Sequence, residues 1–182
     1  MEYIRIIIVR DNLTERKWDM AKSKSHQNRG LKFEARVEKK CQEYHDKELA
    51  LIHKVPTEFK IIRNGARIVN AFPVKDSKFV DFVGICNGNP ISIECKETKN
   101  KTSFPLSNIS DYQLKFIDQW LNLGGKAFLL VNFDTHNKVF LVEGRKLLNC
   151  IDNLDRKSIT YEWFLENTIH LEESLEFLEY IE

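Results

Sequence analysis

Asp81, Glu94 and Lys96 are the residues of this chain whose types and placement could do chemistry. Glu94 and Lys96 lie two apart in the run Ile91-Ser-Ile-Glu-Cys-Lys96. Side chains alternate faces along a strand, so both point the same way as Ser92, while Ile91, Ile93 and Cys95 face a core. Asp81 sits among Phe79, Val80, Phe82 and Val83, where losing water costs a carboxylate free energy unless a cation or partner compensates. The turn Asn87-Gly-Asn-Pro90 joins the two runs and lets Asp81 and Glu94 approach across neighbouring strands. Two carboxylates at short range repel, and a hard divalent cation relieves the repulsion. Oxygen-rich sites of this kind suit Mg²⁺, with Mn²⁺ as a substitute. A lysine beside them can stabilise charge that develops on a phosphate under attack. Together the three predict metal-assisted phosphodiester hydrolysis.

Glu-x-Lys alone carries little, because the pattern also begins at Glu15, Glu38, Glu58 and Glu97. Only Glu94 combines it with an alternating apolar strand, a preceding strand holding an Asp, and a tight turn between. The competing reading is a salt-bridged patch on a half-exposed sheet, a common feature worth little energy.

The elements that must position these residues follow from periodicity. Phe33, Val37, Cys41 and Tyr44 form one apolar stripe, which predicts a helix from about Arg29 to Lys47 with Asn28 as its N-cap. Ala50, Leu51 and Ile52 then lead to Pro56, where a helix cannot continue. Asn64-Gly65 between two apolar runs predicts a β-hairpin over 58–72. The two central strands run from Phe79 to Cys86 and from Ile91 to Lys96. A second helix spans about Ser107 to Leu123 and ends at Gly124-Gly125. Strands at Ala127–Phe133 and Val139–Val142, a short helix from Gly144 to Cys150, and a docked helical segment closing at Leu175–Tyr180 complete the order. The fold class is α/β, a mixed sheet flanked by helices.

A chain of 182 residues, 42% hydrophobic and 30% charged, fits one globular domain, placed at 28–182. No apolar run approaches the roughly 20 residues that span a membrane, so no membrane partner is expected. Cys41, Cys86, Cys95 and Cys150 show no paired or zinc-like spacing, and a reduced, cytoplasmic protein is the reading that follows. The net charge of +1 hides an asymmetry. Basic residues crowd Arg16–Lys40, and glutamates without any Lys or Arg fill Glu162–Glu182. Residues 1–27 are therefore read as a flexible basic arm able to meet phosphates.

The Asp81, Glu94, Lys96 arrangement resembles the PD-(D/E)-x-K nuclease superfamily, with Val80 at the motif's proline. More closely, the chain resembles the RecU family of Holliday junction resolvases. The stretches that carry this are Asn28-Arg-Gly30 with Phe33-Glu34, Ala50-Leu-Ile-His-Lys-Val-Pro-Thr57, Val80-Asp-Phe-Val-Gly84, and above all Glu94-Cys-Lys-Glu-Thr-Lys-Asn-Lys-Thr-Ser-Phe-Pro-Leu106. Gln113, Gly124-Gly-Lys-Ala-Phe128 and Lys157-Ser-Ile159 extend the match. The resemblance implies a restriction-endonuclease-like fold and Mg²⁺ held by Asp81, Glu94 and Gln113. It gives Lys96 the transition state and sets Glu34 facing the same site. It further implies a homodimer on four-way junction DNA, a recombinase as a further partner, paired symmetric nicks, and a role in recombination and repair. The hairpin stands where the family has a stalk that enters the junction, with Lys60, Arg63 and Arg67 making it basic. Arg29, Lys99 and Lys101 are expected as further phosphate contacts. Two positions depart from the family: Phe79 replaces a Thr of the metal site, and Tyr112 replaces a His. The hairpin is also shorter than the family's stalk. A nuclease of the superfamily acting on other branched or single-stranded DNA is thus the main alternative. A DNA-binding recombination modulator with a vestigial site is the second.

Overall fold

The structure, a computed structural model, describes residues 6–8, 24–73 and 79–181, with side chains from Gly30 onward. Its centre is a six-stranded mixed sheet. The strands are β2 (Ala50–Lys54), β5 (Phe82–Cys86), β6 (Asn89–Thr98), β8 (Lys126–Phe133), β9 (Lys138–Glu143) and β11 (Ile169–Leu171), ordered β11-β9-β8-β6-β5-β2. β6 and β8 pair parallel, and the other neighbours pair antiparallel. A parallel pair needs a crossover, supplied here by α2 (Asp111–Asn122).

Helices cover both faces. One face packs on α1 (Lys24–Asp46), whose Phe33, Val37, Cys41 and Tyr44 are buried against Ile52, Phe82, Ile91 and Ile93. Against the other face lie Ile117 of α2, Leu147 of α3 (Gly144–Asp152) and Phe164 of α4 (Tyr161–Asn167). Glu94 and Lys96 belong to this second face, between α2 and the open β5–β2 flank. β2 and β5 approach so closely that a Cβ at Gly84 would sit 2.0 Å from the Leu51 carbonyl oxygen, so only glycine fits there.

Two smaller sheets complete the fold. β3 (Phe59–Asn64) and β4 (Arg67–Pro73) form the expected hairpin, and β1 (Ile6–Ile8) pairs parallel with β3. β7 (Ser103–Pro105) pairs with β10 (Ser158–Thr160).

The mixed sheet flanked by helices is the fold class read from the sequence, but several local readings need correction. α1 begins at Lys24 rather than near Arg29, so Asn28 lies within the helix and not at its start. Of the arm read as flexible, residues 1–5 and 9–23 lie outside the described residues, while Ile6–Ile8 is a strand and 24–27 are helical. Ala50–Lys54 is an edge strand, which its short length and the nearby Pro56 obscured. The hairpin turn is Gly65-Ala66, one residue later than Asn-Gly implied, with the single positive φ of +59° at Gly65. The C-terminal part is not a docked helix. It adds β11 to the sheet edge and ends in a 3-10 turn at Leu178–Tyr180, held where the Phe177 amide donates to the Tyr44 hydroxyl at 2.9 Å.

Candidate active site

β5 and β6 bring the predicted carboxylates together. The ladder between them starts at Phe82 opposite Ile93, so Asp81 stands just before β5 rather than inside it, at the level of Glu94. Its carboxylate takes over where the ladder stops, as the Cys95 amide donates to Asp81 Oδ2 at 2.8 Å. The Asp81 carbonyl accepts from the Val55 amide at 2.7 Å, which ties the same residue to the end of β2.

Glu94 is wholly buried. Its Oε1 accepts from Gln113 Nε2 and pairs with Lys96 Nζ, each at 2.5 Å, whereas its Oε2 is buried with no partner among the described residues. A buried carboxylate oxygen without a donor is costly. Burial and the repulsion of Asp81 push the Glu94 carboxyl up to about 8. Burial and then Glu34 push Asp81 up to about 6. Burial opposes the charge of Lys96, but Glu94 and Asp81 together outweigh it and keep the ammonium protonated. With both carboxylates ionised the pair would hold more negative charge than Lys96 alone neutralises, which is part of why the Glu94 carboxyl lies above its ordinary value.

Helix α2 supplies Gln113 through its first turn. Ser110 is the N-cap, with Oγ accepting from the Gln113 amide at 3.3 Å, while the Ser110 amide donates to Gln113 Oε1 at 3.0 Å. This capping box satisfies otherwise orphaned donors at the helix start. It also turns the Gln113 amide nitrogen onto Glu94, so as arranged Gln113 reaches the site as a donor and its carbonyl oxygen is committed to Ser110.

Helix α1 contributes Glu34, whose Oε2 lies 3.0 Å from Lys54 Nζ at the end of β2. Sequence reasoning does not single out Lys54. The signal was its step of two from Ala50 and Ile52, which puts a lysine on a strand's core-facing side. Its charge is penalised by partial burial, yet Glu34, Glu38 and Asp81 hold its pKa above the ordinary value. It is a second cation at the acidic cluster.

The remaining predicted residues are spread more widely. Lys99 and Lys101 are exposed on the loop after β6, and Lys99 Nζ lies 4.0 Å from Asp134. Lys60, Arg63 and Arg67 lie exposed on the hairpin, which hangs between Lys54 and Asp81 in the chain. Arg29 falls within α1, and its side chain lies outside the described ones. Phe79 rests against Phe116 of α2 at 5.7 Å between ring centroids, so its side chain takes part in an apolar contact. Tyr112 is half exposed beside Gln113.

Among the described residues, no group of three or more His, Cys, Asp and Glu is assembled to hold a metal by those side chains alone. Asp81 and Glu94 nonetheless fit a hard cation. One brings a desolvated carboxylate and the other an unpartnered buried oxygen, and Mg²⁺ commonly takes one or two carboxylates and fills its remaining positions with water and substrate phosphate.

The family described as Recombination protein U matches residues 28–182. A protein named Holliday junction resolvase RecU from Oceanobacillus iheyensis is 35% identical over 144 residues, covering 74% of this chain and 73% of that one. Proteins of the same name are 35% identical in a Geobacillus species (66% of this chain, 63% of that one) and 31% identical in Bacillus cytotoxicus (76% and 74%). Among solved structures, the Holliday junction resolvase Hjc of Archaeoglobus fulgidus aligns with a TM-score of 0.47 at 13% identity, covering 80% of this chain and 92% of that one.

Proposed function

The chain belongs to the RecU family, and from that membership we propose that it is an endonuclease that resolves Holliday junctions in DNA recombination and repair. The observation that carries the chemistry is Glu94, a wholly buried carboxylate with one oxygen lacking a partner among the described residues, facing Asp81 and Lys96. Asp81 and Glu94 would hold a divalent cation, Mg²⁺ in the cell with Mn²⁺ as a substitute. That cation would supply an activated water and charge neutralisation at the scissile phosphate. The chain's own groups do the rest. Gln113, held by Ser110, and Lys96 fix the plane of the Glu94 carboxylate. Lys96, kept protonated by its neighbours, stabilises the charge that grows on the phosphate. Lys54 holds Glu34 at the edge of the same cluster.

Substrate selection follows from assembly. One chain carries one such site, and two equivalent strands of a four-way junction call for two sites related by a two-fold axis. A C2 homodimer with the hairpins near that axis meets the requirement. β4 is exposed along its whole length and carries Ile68, Val69 and Phe72, apolar surface suited to contact with a second copy. Lys60, Arg63, Arg67, Lys99, Lys101 and Arg29 would meet backbone phosphates and give affinity without sequence reading.

The two-residue turn of the hairpin favours a second reading, a nuclease of the same site chemistry that acts on other branched DNA. Matched four-way, three-way and linear duplex substrates, offered with Mg²⁺, decide between the two. Preferred cutting of the four-way junction supports resolution. Equal cutting of three-way and four-way DNA supports the alternative, and no cutting of any of them overturns both.

A further inference from the structure

The loop that follows the catalytic strand is held from outside by the connection between β8 and β9. His136, at the end of that connection, places Nε2 2.7 Å from the Lys101 carbonyl oxygen. The next carbonyl, of Thr102, accepts from the Tyr161 amide at 2.9 Å. The two residues that hold these consecutive carbonyls are stacked on each other, with ring centroids 4.1 Å apart and planes 15° from parallel. His136 and Tyr161 therefore form one clamp on two adjacent peptide groups.

The clamp is fixed from behind and free in front. Tyr161 opens α4 and packs edge-on against Phe133 and Phe140 of the second core. His136 is exposed, like Asp134 and Asn137 around it. The segment it holds carries Lys99 and Lys101, both exposed, three and five residues beyond Lys96. A loop of exposed residues loses backbone entropy when it is ordered by a ligand, and a clamp that orders it beforehand removes part of that cost.

We propose that His136 is a positioning residue for DNA binding: stacked on Tyr161, it fixes the Lys99–Lys101 loop so that its lysines meet backbone phosphates beside the reacting one. This rests on the junction-nuclease reading above. His136 itself acts through Lys101 and needs no contact with DNA.

The test is binding of labelled four-way junction by the full chain, with Ca²⁺ in place of Mg²⁺, across a salt series, for wild type, His136→Ala, His136→Gln and Tyr161→Phe. Loss of one net hydrogen bond that preorganises the loop weakens binding by about threefold to tenfold. His136→Ala should show that loss together with a drop of about one in the slope of log affinity against log salt, as expected for one phosphate contact given up. Its cleavage rate at saturating junction should stay within about twofold of wild type, so the effect lies in KM. His136→Gln keeps an amide donor for Lys101 and should recover most of the affinity. Tyr161→Phe keeps the stack and the backbone donor and should be silent. Unchanged affinity and slope in His136→Ala would overturn the proposal. So would a defect that tracks a lower melting temperature and is not rescued by glutamine. If wild type itself fails to bind the junction, the functional reading falls first and this inference with it.

Discussion

Asp81 and Glu94 oppose each other at the point where the β5–β6 ladder ends, and the first of them is held there by the Cys95 amide at 2.8 Å. Both carboxyls lie above the ordinary range in the folded chain, at about 6 and about 8. A carboxyl raised on folding favours the protonated folded form. Without a divalent cation its contribution to stability is present below the ordinary value near pH 4 and is lost as pH rises through the folded value. The cation-free protein should therefore lose stability between about pH 4 and 8. Mg²⁺ opposes that loss, so its effect on melting temperature should grow with pH. At one fixed Mg²⁺ concentration, about a hundredfold above the Kd at pH 8, the gain should be about 5–10 °C at pH 8 and much smaller at pH 5, where the carboxyls are protonated and Kd is higher. A gain equal at both pH values, seen by calorimetry, would remove Asp81 and Glu94 as the metal's ligands.

Lys96 pairs with Glu94 on one face of β6 and should act on the transition state. Lys96→Ala should lower the single-turnover rate at saturating junction by about 100- to 1000-fold, the usual cost of losing one such electrostatic group. A variant that cleaves at the wild-type rate once DNA is saturating would reassign Lys96 to phosphate binding.

Lys54 lowers the charge density around Glu34 and Asp81. In Lys54→Gln, Asp81 loses a cation that favours its ionised form, and its pKa rises further. The pH at which Mg²⁺ binding is half developed should move upward relative to wild type, in a titration followed by thermal shift. An unmoved midpoint would leave Lys54 as a structural partner of Glu34 alone.

The hairpin carries three of the predicted DNA contacts and the exposed apolar strand β4. Deleting Arg63 to Arg67 should reduce junction cleavage much more than residual cutting of linear duplex, with sedimentation showing whether the dimer persists. Equal loss on both substrates would take the hairpin out of substrate selection. A wild-type monomer at micromolar concentration, with and without junction DNA, would contradict the two-fold arrangement.

Much of this site was legible because strand alternation is strict. Ser92, Glu94 and Lys96 had to share a face once Ile91 and Ile93 were assigned to the core, and the structure buries both isoleucines completely. The stripe from Phe33 to Tyr44 was equally plain, although its helix starts earlier, since polar residues from Lys24 to Asn28 continue a helix without an apolar signal. What stayed hidden depends on contacts distant in sequence. Lys54 is defined by Glu34 across the helix–sheet interface, and His136 by Lys101 and Tyr161 from two other segments. The capping box of Ser110 and Gln113 was local and could have been read from Ser-x-x-Gln at the start of an apolar run. β11 was missed because three residues at a sheet edge carry almost no periodic pattern of their own.

The most direct test compares wild type with Glu94→Gln on one mobile-free four-way junction, with nicks mapped at nucleotide resolution on all four strands in Mg²⁺ and binding measured in Ca²⁺. The account predicts paired nicks at symmetric positions on two opposing strands for wild type. Glu94→Gln should bind the junction about as tightly as wild type and make no nicks. Nicking by Glu94→Gln at the wild-type rate, or wild-type nicking that persists in excess chelator, would contradict it.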